Sequence, residues 1–154
     1  MTRYKVLDLF AGCGGLSYGL EMAGFEVVAA NDLFAAAAET HKANHPKSRF
    51  FLGSITDPAI QDAIVEHLQE TGCDVIAGGP PCQAYSLAGK RDVDDGRGRL
   101  FEQYVELVRR VRPRVFIMEN VKGLLSMSHD RAGLSNLDAS RLNDIKVLEV
   151  EQRQ

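Results

Sequence analysis

Short apolar runs alternate with amphipathic stretches from residue 6 to residue 118 of this chain. Each run is apolar at consecutive positions, so both of its faces would be buried, as is typical of strands inside a parallel sheet. The runs predict five strands, at residues 6–10, 26–31, 49–53, 74–77 and 115–118. The intervening stretches predict helices near residues 15–23, at 34–43, from Pro58 onward with Asp57 as cap, and at 100–111.

The order of these elements predicts an α/β fold with a doubly wound parallel sheet covered on both sides. Right-handed crossovers place ligands beyond the carboxyl ends of such strands, near the point where the strand order reverses. Five candidate residues follow five different predicted strands, and we expect them to face one crevice: Gly12, Asp32, Ser54, Cys82 and Glu119.

Composition and charge narrow the class of protein. The 154 residues carry a formal net charge of -3 and are 45% hydrophobic, which is typical of one globular domain. No apolar run approaches the roughly 20 residues of a membrane span, and the start lacks a signal-peptide pattern, so we expect a cytoplasmic protein. Three cysteines without a C-x-x-C pair predict no disulfide framework and no metal site. Two basic clusters, at residues 90–99 and 109–114, are either solvated surface or phosphate contacts.

A glycine-rich turn, DLFAGCGG, follows the first predicted strand at residues 8–15. Glycines let backbone amides approach a ligand closely and leave the next helix N-terminus open to negative charge. Ser17 stands where the pattern G-x-G-x-x-G would have its third glycine. A carboxylate about 20 residues further on, Asp32, could bind both hydroxyls of a ribose, which favours an adenosine-type cofactor. A plain tight turn, with Asp32 as a helix cap, is the alternative.

A second constellation joins GGPPCQAYS at residues 78–86 with MENV at residues 118–121. Pro80 and Pro81 remove two backbone donors, so the segment leaves the sheet and presents Cys82 among polar neighbours. This thiol is a candidate nucleophile if a base or a positive charge activates it, and an inert buried cysteine otherwise. Glu119 ends an apolar strand, where an unpaired carboxylate is costly. It could donate a proton or hydrogen bond to a heterocycle nitrogen, or accept from nearby backbone amides.

Together and in this order, DLFAGCGG, GGPPCQAYS, GRGRLF and MENV closely resemble the motifs of the cytosine carbon-5 DNA methyltransferases, over roughly residues 4–126. The resemblance implies a Rossmann-like, S-adenosylmethionine-dependent methyltransferase fold and methyl transfer to carbon 5 of a cytosine flipped out of DNA. It implies that Cys82 forms a covalent intermediate with the base while Glu119 neutralises charge on the ring. DNA methylation within a restriction–modification system is the expected setting.

The same resemblance implies the cofactor and DNA contacts. The positions expected to bind S-adenosyl-L-methionine are Phe10, Gly12, Gly14, Asp32, Leu33, Ser54, Ile55, Pro81 and Leu100. Three depart from the family's usual residues: Asp32 replaces a longer Glu at the ribose, Leu33 an aromatic residue at the adenine, and Ser54 an Asp at the adenine amino group. The residues expected to contact DNA are Gln83, Ser86, Lys90, Arg91 and Arg97, in or beside a loop at 87–98 that closes over the duplex.

The family's later motifs, including its Q-x-R-x-R segment and target-recognition region, are missing from this chain. We therefore expect a catalytic domain portion at residues 1–126, an irregular tail at 127–154 with one final strand at 145–150, and dependence on a complementary chain or on self-association. Two other functions stay open: a non-catalytic S-adenosylmethionine-binding or partner-binding fragment, and an RNA cytosine methyltransferase.

Overall fold

The structure, a computed structural model, describes residues 3–81 and 99–119. Its elements in chain order are β1 Lys5–Leu9, α1 Gly15–Met22, β2 Glu26–Asp32, α2 Ala35–Asn44, β3 Arg49–Leu52, α3 Pro58–Thr71, β4 Val75–Gly78, α4 Arg99–Val111 and β5 Val115–Met118. All of the strands and helices predicted for these ranges are present, and the ends that were predicted agree to within one residue. The strand expected at 145–150 and the tail around it lie outside the described residues.

Local signals in the sequence set the ends of the longest helix. The Asp57 side chain accepts the backbone N–H of Ala59 at 2.9 Å, and Pro58 takes the first helical position, so the predicted cap of α3 is confirmed. At its other end, Gly72 has a φ of 81°, a left-handed angle that glycine adopts easily. None of the helices in the described ranges has the length and apolar character needed to cross a bilayer.

The five strands form one parallel sheet in the order β3–β2–β1–β4–β5. The chain moves outward from β1 through β2 to β3, and then returns across β1 to β4 and β5. Right-handed crossovers place α1 and α2 on one face and α3 and α4 on the other, where these two helices pack together. The doubly wound α/β prediction is confirmed. The reversal between β1 and β4 opens a crevice at their carboxyl ends.

Alternate strand residues enter two separate apolar cores, because neighbouring side chains of a strand point to opposite faces. The first core joins β1 and β4 to α3 and α4, and its larger members are Leu7, Leu9, Ile64, Ile76, Tyr104 and Leu107. The second joins the sheet to α1, with Val6, Leu20, Val27, Val75 and Ala77. The central strand β1 is therefore buried on both sides, which explains its nearly unbroken apolar run.

The edge strand β5 departs from the prediction that both faces of the sheet are covered. Val115, Phe116 and Ile117 expose 50%, 38% and 46% of their surface. On one face, Tyr104 of α4 packs against Phe116, and its hydroxyl lies 3.0 Å from the carbonyl oxygens of Ile76 and Ile117. Val115 and Ile117 alternate with Phe116 and so lie on the face that carries α1, where they stay half exposed within the described part of the chain.

Candidate functional site

The turn between β1 and α1 has a left-handed backbone at three positions. Phe10, Gly12 and Gly14 have φ angles of 58°, 54° and 96°. Glycine adopts such angles at little cost, whereas phenylalanine is strained there because its Cβ crowds the backbone. Strained residues of this kind cluster at functional sites and persist where the surroundings hold them. Packing of the half-buried Phe10 against the first core provides that support.

Asp32, at the end of β2, ties this turn to the neighbouring strand. Its Oδ2 accepts the backbone N–H of Gly12 at 2.8 Å, and its Oδ1 accepts the N–H of Phe34 at 3.0 Å. The alternative role as a helix cap is wrong, because the N-cap of α2 is Phe34 and no side chain caps that helix. One Asp32 bond is local, and the other reaches across to the glycine turn. Each carboxylate oxygen keeps a further acceptor site, so Asp32 can still bind ribose hydroxyls.

A cavity of about 430 Å³ opens at the carboxyl ends of β1 to β4, a volume typical of small-molecule sites. It is lined by seven of the nine positions expected to bind the cofactor, all except Gly12 and Gly14. A side chain at Gly14 would instead collide with two histidines, His41 and His45. Gly12 and Gly14 do not line this cavity, and their expected contact with the cofactor stays a prediction.

The cavity is also lined by four residues that the sequence did not indicate: Asn31, Phe34, Gly53 and Gly79. Phe34 is 69% exposed and stands next to Leu33, the position at which an aromatic residue was expected. The sequence did contain a signal for this role, because Phe34 is an aromatic residue one position after Leu33. Buried Asn31 donates from Nδ2 to the carbonyl oxygens of Phe51, at 2.8 Å, and Gly53, at 3.0 Å, and so holds the end of β3 against β2.

The segment after β3 supplies short polar groups and one buried apolar side chain. The Ser54 hydroxyl lies 2.7 Å from the Thr56 hydroxyl and accepts the Thr56 backbone N–H at 3.2 Å. Ile55 is 2% exposed, and its carbonyl oxygen accepts from the Gln61 side chain at 2.8 Å. Ser54 therefore offers a hydroxyl that is already engaged in its own turn, which is a weaker acceptor than a carboxylate would be.

The neighbouring strands approach the end of β4 so closely that they leave little room for a side chain at positions 78 and 79. A Cβ at Gly78 would overlap the backbone carbonyl of Leu9 in β1, and a Cβ at Gly79 would lie 2.9 Å from Glu119 Oε2. The Glu119 N–H also donates to the Gly78 carbonyl oxygen at 3.1 Å. Because Gly79 lines the cavity, the Glu119 carboxylate lies at its edge. Glu119 is exposed, contrary to the desolvated carboxylate expected, because β5 itself is exposed.

The expected nucleophile and DNA contacts fall in the part of the chain that the structure does not describe. They are Cys82, Gln83, Ser86, Lys90, Arg91 and Arg97, together with the loop at 87–98. Pro81, the last described residue before Cys82, lines the cavity. The chain therefore enters the segment of the predicted nucleophile at the cavity wall. Residues 3–81 and 99–119 contain no cluster of three metal-ligating side chains.

The second basic cluster, at 109–114, lies at the amino ends of the strands, opposite to the cavity. Arg110 donates to Asp62 Oδ1 at 2.6 Å and to the Gln61 side chain at 3.2 Å, which joins α4 to α3. The Arg114 guanidinium stacks 5.3 Å from the centre of the Tyr4 ring. These residues precede β5, whereas the cavity lies beyond the ends of the strands. This cluster is therefore structural surface and not part of the site.

A buried polar group lies beneath the glycine turn. Ser17 Oγ donates to Asp8 Oδ2 at 2.6 Å and lies 3.1 Å from His41 Nε2. Because the hydroxyl has one proton, Ser17 accepts from His41 while it donates to Asp8. Burial raises the pKa of Asp8 to about 6 and lowers the pKa of His41 to about 4, since both charged forms lose their hydration.

The family model described as C-5 cytosine-specific DNA methylase matches residues 4–139. This chain belongs to that family. It is 43% identical over 129 residues to the Type II methyltransferase M.NgoPII of Neisseria gonorrhoeae, covering 83% of this chain and 36% of that protein. Another relative, the Type II methyltransferase M.HgiGI of Herpetosiphon aurantiacus, is 41% identical over 131 residues, covering 83% of this chain and 99% of the relative. The chain thus spans about a third of the first of these methyltransferases and nearly all of the second.

Solved structures of methyltransferases share the fold. A putative DNA modification methyltransferase encoded within an E. coli prophage superposes with a TM-score of 0.67 at 34% identity, over 87% of this chain and 36% of that one. A mutant of Spodoptera frugiperda DNMT2 superposes with a TM-score of 0.60 at 28% identity, over 81% of this chain and 38% of that one. The Rossmann-like methyltransferase fold expected from the sequence is confirmed.

Membership of the C-5 methylase family implies the use of S-adenosylmethionine in general, and the residues of the cavity fit its adenosine part. Asp32 offers free acceptor sites at the end of β2, where a ribose would bind. Phe34 and Leu33 offer exposed apolar surface for a flat ring, and buried Ile55 and the strained Phe10 also line the cavity.

Proposed function

We propose that this chain is the catalytic portion of a DNA (cytosine-5-)-methyltransferase, which transfers a methyl group from S-adenosylmethionine to carbon 5 of a flipped cytosine. The observation that carries the proposal is the position of Gly79. This residue lines the cofactor cavity, its Cα faces the Glu119 carboxylate, and it precedes Cys82 by only three positions. That arrangement supports a single crevice shared by a cofactor, an acid and a nucleophile.

In the proposed reaction the Cys82 thiolate adds to carbon 6 of the cytosine ring, which makes carbon 5 nucleophilic. Glu119 passes a proton to ring nitrogen 3 and so neutralises the negative charge that builds up there. S-adenosylmethionine, when bound, supplies the methyl group that carbon 5 accepts. A base then takes the carbon-5 proton, the thiolate leaves carbon 6, and ring nitrogen 3 returns its proton to Glu119, which restores the aromatic ring.

Residues at the ends of β1 to β4 would hold the cofactor. Asp32 accepts from the ribose hydroxyls with the acceptor sites that Gly12 and Phe34 leave free. Phe34 stacks on the adenine and so supplies the aromatic surface that Leu33 lacks, a contact worth about 1 kcal/mol. Ser54 offers only a hydroxyl to the adenine amino group. The polar edge of the adenine site is therefore weaker than an Asp would make it, and its apolar face compensates.

DNA would bind across the same crevice. Lys90, Arg91 and Arg97 are proposed to contact phosphates, and Gln83 and Ser86 to contact the flipped nucleotide beside Cys82. Extruding a base from the stack costs a few kcal/mol, which these contacts must offset. A formal net charge of -3 provides little general attraction for DNA, so the basic residues near the nucleophile would carry most of it.

We also propose that the chain works with a complementary chain or with a second copy of itself. Supporting this, β5 leaves Val115 and Ile117 half exposed on the face that carries α1. Exposed apolar side chains on an edge strand favour association. Much longer relatives, such as the N. gonorrhoeae methyltransferase, carry additional sequence that could provide such a cover.

Covalent capture on DNA containing 5-fluorocytosine tests the proposed function. Fluorine at carbon 5 cannot leave as a proton does, so methyl transfer would trap the base on the sulfur of Cys82. The 154-residue chain is incubated with S-adenosylmethionine and this DNA, alone and together with the carboxyl-terminal portion of the N. gonorrhoeae relative. We expect an adduct at Cys82 by peptide mass spectrometry, and none with Cys82→Ser.

Matched controls separate the alternatives. Glu119→Gln keeps a hydrogen-bond donor but cannot give up a proton, so the rate of adduct formation should fall by about tenfold or more. The same label in single-stranded RNA tests the RNA alternative. A folded chain that binds S-adenosylmethionine yet forms no adduct with either nucleic acid, with or without the added portion, would leave only a cofactor-binding fragment.

A further inference from the structure

His45, the residue directly after α2, is buried with both ring nitrogens occupied. Its side chain is 2% exposed. Nε2 lies 3.2 Å from the carbonyl oxygen of Gly14, and Nδ1 lies 3.0 Å from Glu21 Oε2. A carbonyl oxygen can only accept a hydrogen bond, so Nε2 donates to Gly14. The Glu21 carboxylate holds the ring from its other nitrogen.

The His45 ring occupies the space that a side chain at position 14 would fill. A Cβ built on Gly14 would lie 2.5 Å from His45 Nε2 and 3.0 Å from His41 Cδ2. The two histidine rings pack against each other at an angle of 42°, with their centres 4.6 Å apart. The lack of a side chain at Gly14 is thus explained by the histidines, with its left-handed φ of 96° as a second reason for glycine.

Gly14 is also the residue from which α1 starts. Its carbonyl oxygen accepts the first helical N–H, from Tyr18 at 2.8 Å, and its own N–H donates to the Ala11 carbonyl at 2.9 Å. Two positions earlier in the turn, Asp32 holds the N–H of Gly12. The glycine turn is therefore fixed at two points by two different elements: the end of β2 holds its first half, and the end of α2 holds its second half.

We propose that His45 is a positioning residue for the cofactor site, which acts through its Nε2–H bond to Gly14 and not through contact with a ligand. This inference rests on the proposed function in one respect, namely that the turn binds S-adenosylmethionine. His45 keeps the turn in its binding geometry before the cofactor arrives, so its loss weakens affinity by letting the turn sample other conformations. Glu21 acts one step further out, by orienting the His45 ring.

Two amide substitutions separate the two bonds of His45. In His45→Gln the side-chain amide nitrogen reaches the position of Nε2 and keeps a donor on Gly14, whereas in His45→Asn it reaches the position of Nδ1 and keeps only the partner Glu21. Both variants lose the ring and its packing against His41. A purely structural role for His45 predicts similar damage from both, and a positioning role predicts that only His45→Asn impairs the turn.

The test uses the full 154-residue chain and two readouts. Calorimetric titration with S-adenosylhomocysteine should give a dissociation constant within about threefold of the parent for His45→Gln and about tenfold weaker for His45→Asn, the effect of one lost hydrogen bond. Amide hydrogen exchange of the peptide spanning residues 10–18, measured without ligand, should rise by about tenfold in His45→Asn and by less than threefold in His45→Gln.

Each outcome has a defined meaning. Equal losses in both variants, in either affinity or exchange, would overturn the positioning role. Absence of cofactor binding by the parent chain would refute the proposed function, while the exchange rates would still decide whether His45 holds the turn. If His45→Asn does not fold, Glu21→Gln replaces it as the comparison: this variant keeps the bond to Gly14 and must protect the turn as well as His45→Gln does.

Discussion

The opposed titrations of Asp8 and His41 predict an unusual pH dependence of stability. Both side chains are fully buried and meet through Ser17. His41 has a folded pKa of about 4 against an ordinary 6.5, so the unfolded chain binds more protons and stability falls as the pH drops from 6.5 to 4. Asp8 has a folded pKa of about 6 against an ordinary 3.8, so the folded chain binds more protons and stability rises as the pH drops from 6 to 3.8.

The two effects nearly cancel in the parent protein. Each shift corresponds to about 3 kcal/mol, of which about 2–3 kcal/mol is expressed between pH 7 and pH 4. Burial is the largest cause of both shifts, and neither residue is a cause of the other's shift, so each can be removed separately. His41→Gln keeps a donor for Ser17 but cannot titrate. Relative to the parent, its free energy of unfolding should therefore rise by about 2–3 kcal/mol as the pH is lowered from 7 to 4.

The matched variant, Asp8→Asn, should change in the opposite direction, losing about 2–3 kcal/mol relative to the parent over the same range. Urea unfolding at half-unit pH steps, followed by circular dichroism, measures all three proteins. Because only differences between variants and parent are used, the titration of every other group cancels. Curves for His41→Gln and Asp8→Asn that run parallel to the parent from pH 7 to pH 4 would refute the reasoning.

Three further predictions concern the site and its support. Gly79→Ala should slow adduct formation with 5-fluorocytosine DNA by about tenfold, while its melting temperature stays close to the parent's, because the added Cβ displaces only the movable end of the Glu119 carboxylate. Gly78→Ala should instead unfold at a much lower temperature, because its Cβ meets the fixed backbone of Leu9. Tyr104→Phe removes the one hydroxyl proton that the Ile76 and Ile117 carbonyl oxygens share, and should lower the free energy of unfolding by about 1–2 kcal/mol in urea. Phe34→Ala should weaken S-adenosylhomocysteine binding about tenfold by calorimetry and Leu33→Ala less than threefold; the reverse order would contradict the assigned stacking partner.

The fold was predictable because its signals are local. Strands buried on both faces produce unbroken apolar runs, and the Asp57–Pro58 pair marks the start of α3 without reference to the rest of the chain. The rule that parallel strands gather ligands at their carboxyl ends then placed Asp32 and Ser54 at one cavity. The half exposure of β5 was not predictable from its own residues, which are as apolar as those of β4.

The support of the site could not be predicted, because it consists of contacts between residues far apart in sequence. His45 meets Gly14 across 31 positions, and nothing near either residue announces the pairing. The left-handed angle of Phe10 contradicts the ordinary preference of a phenylalanine and arises only from the packed turn. Glycine at positions 78 and 79 is explained by the close approach of Leu9 and Glu119, which the local sequence does not reveal.

The central position of β1 constrains how this protein is made on the ribosome. Its first neighbour, β2, is synthesised soon after it. Its second neighbour, β4, pairs Val75 with Val6, so this pairing can form only after almost half of the chain has been synthesised. Until then one long edge of β1 is open to other nascent strands, and closing so large a loop is slow. Synthesis of this polypeptide should therefore depend on chaperones, and slower translation between residues 53 and 75 should lower its soluble yield.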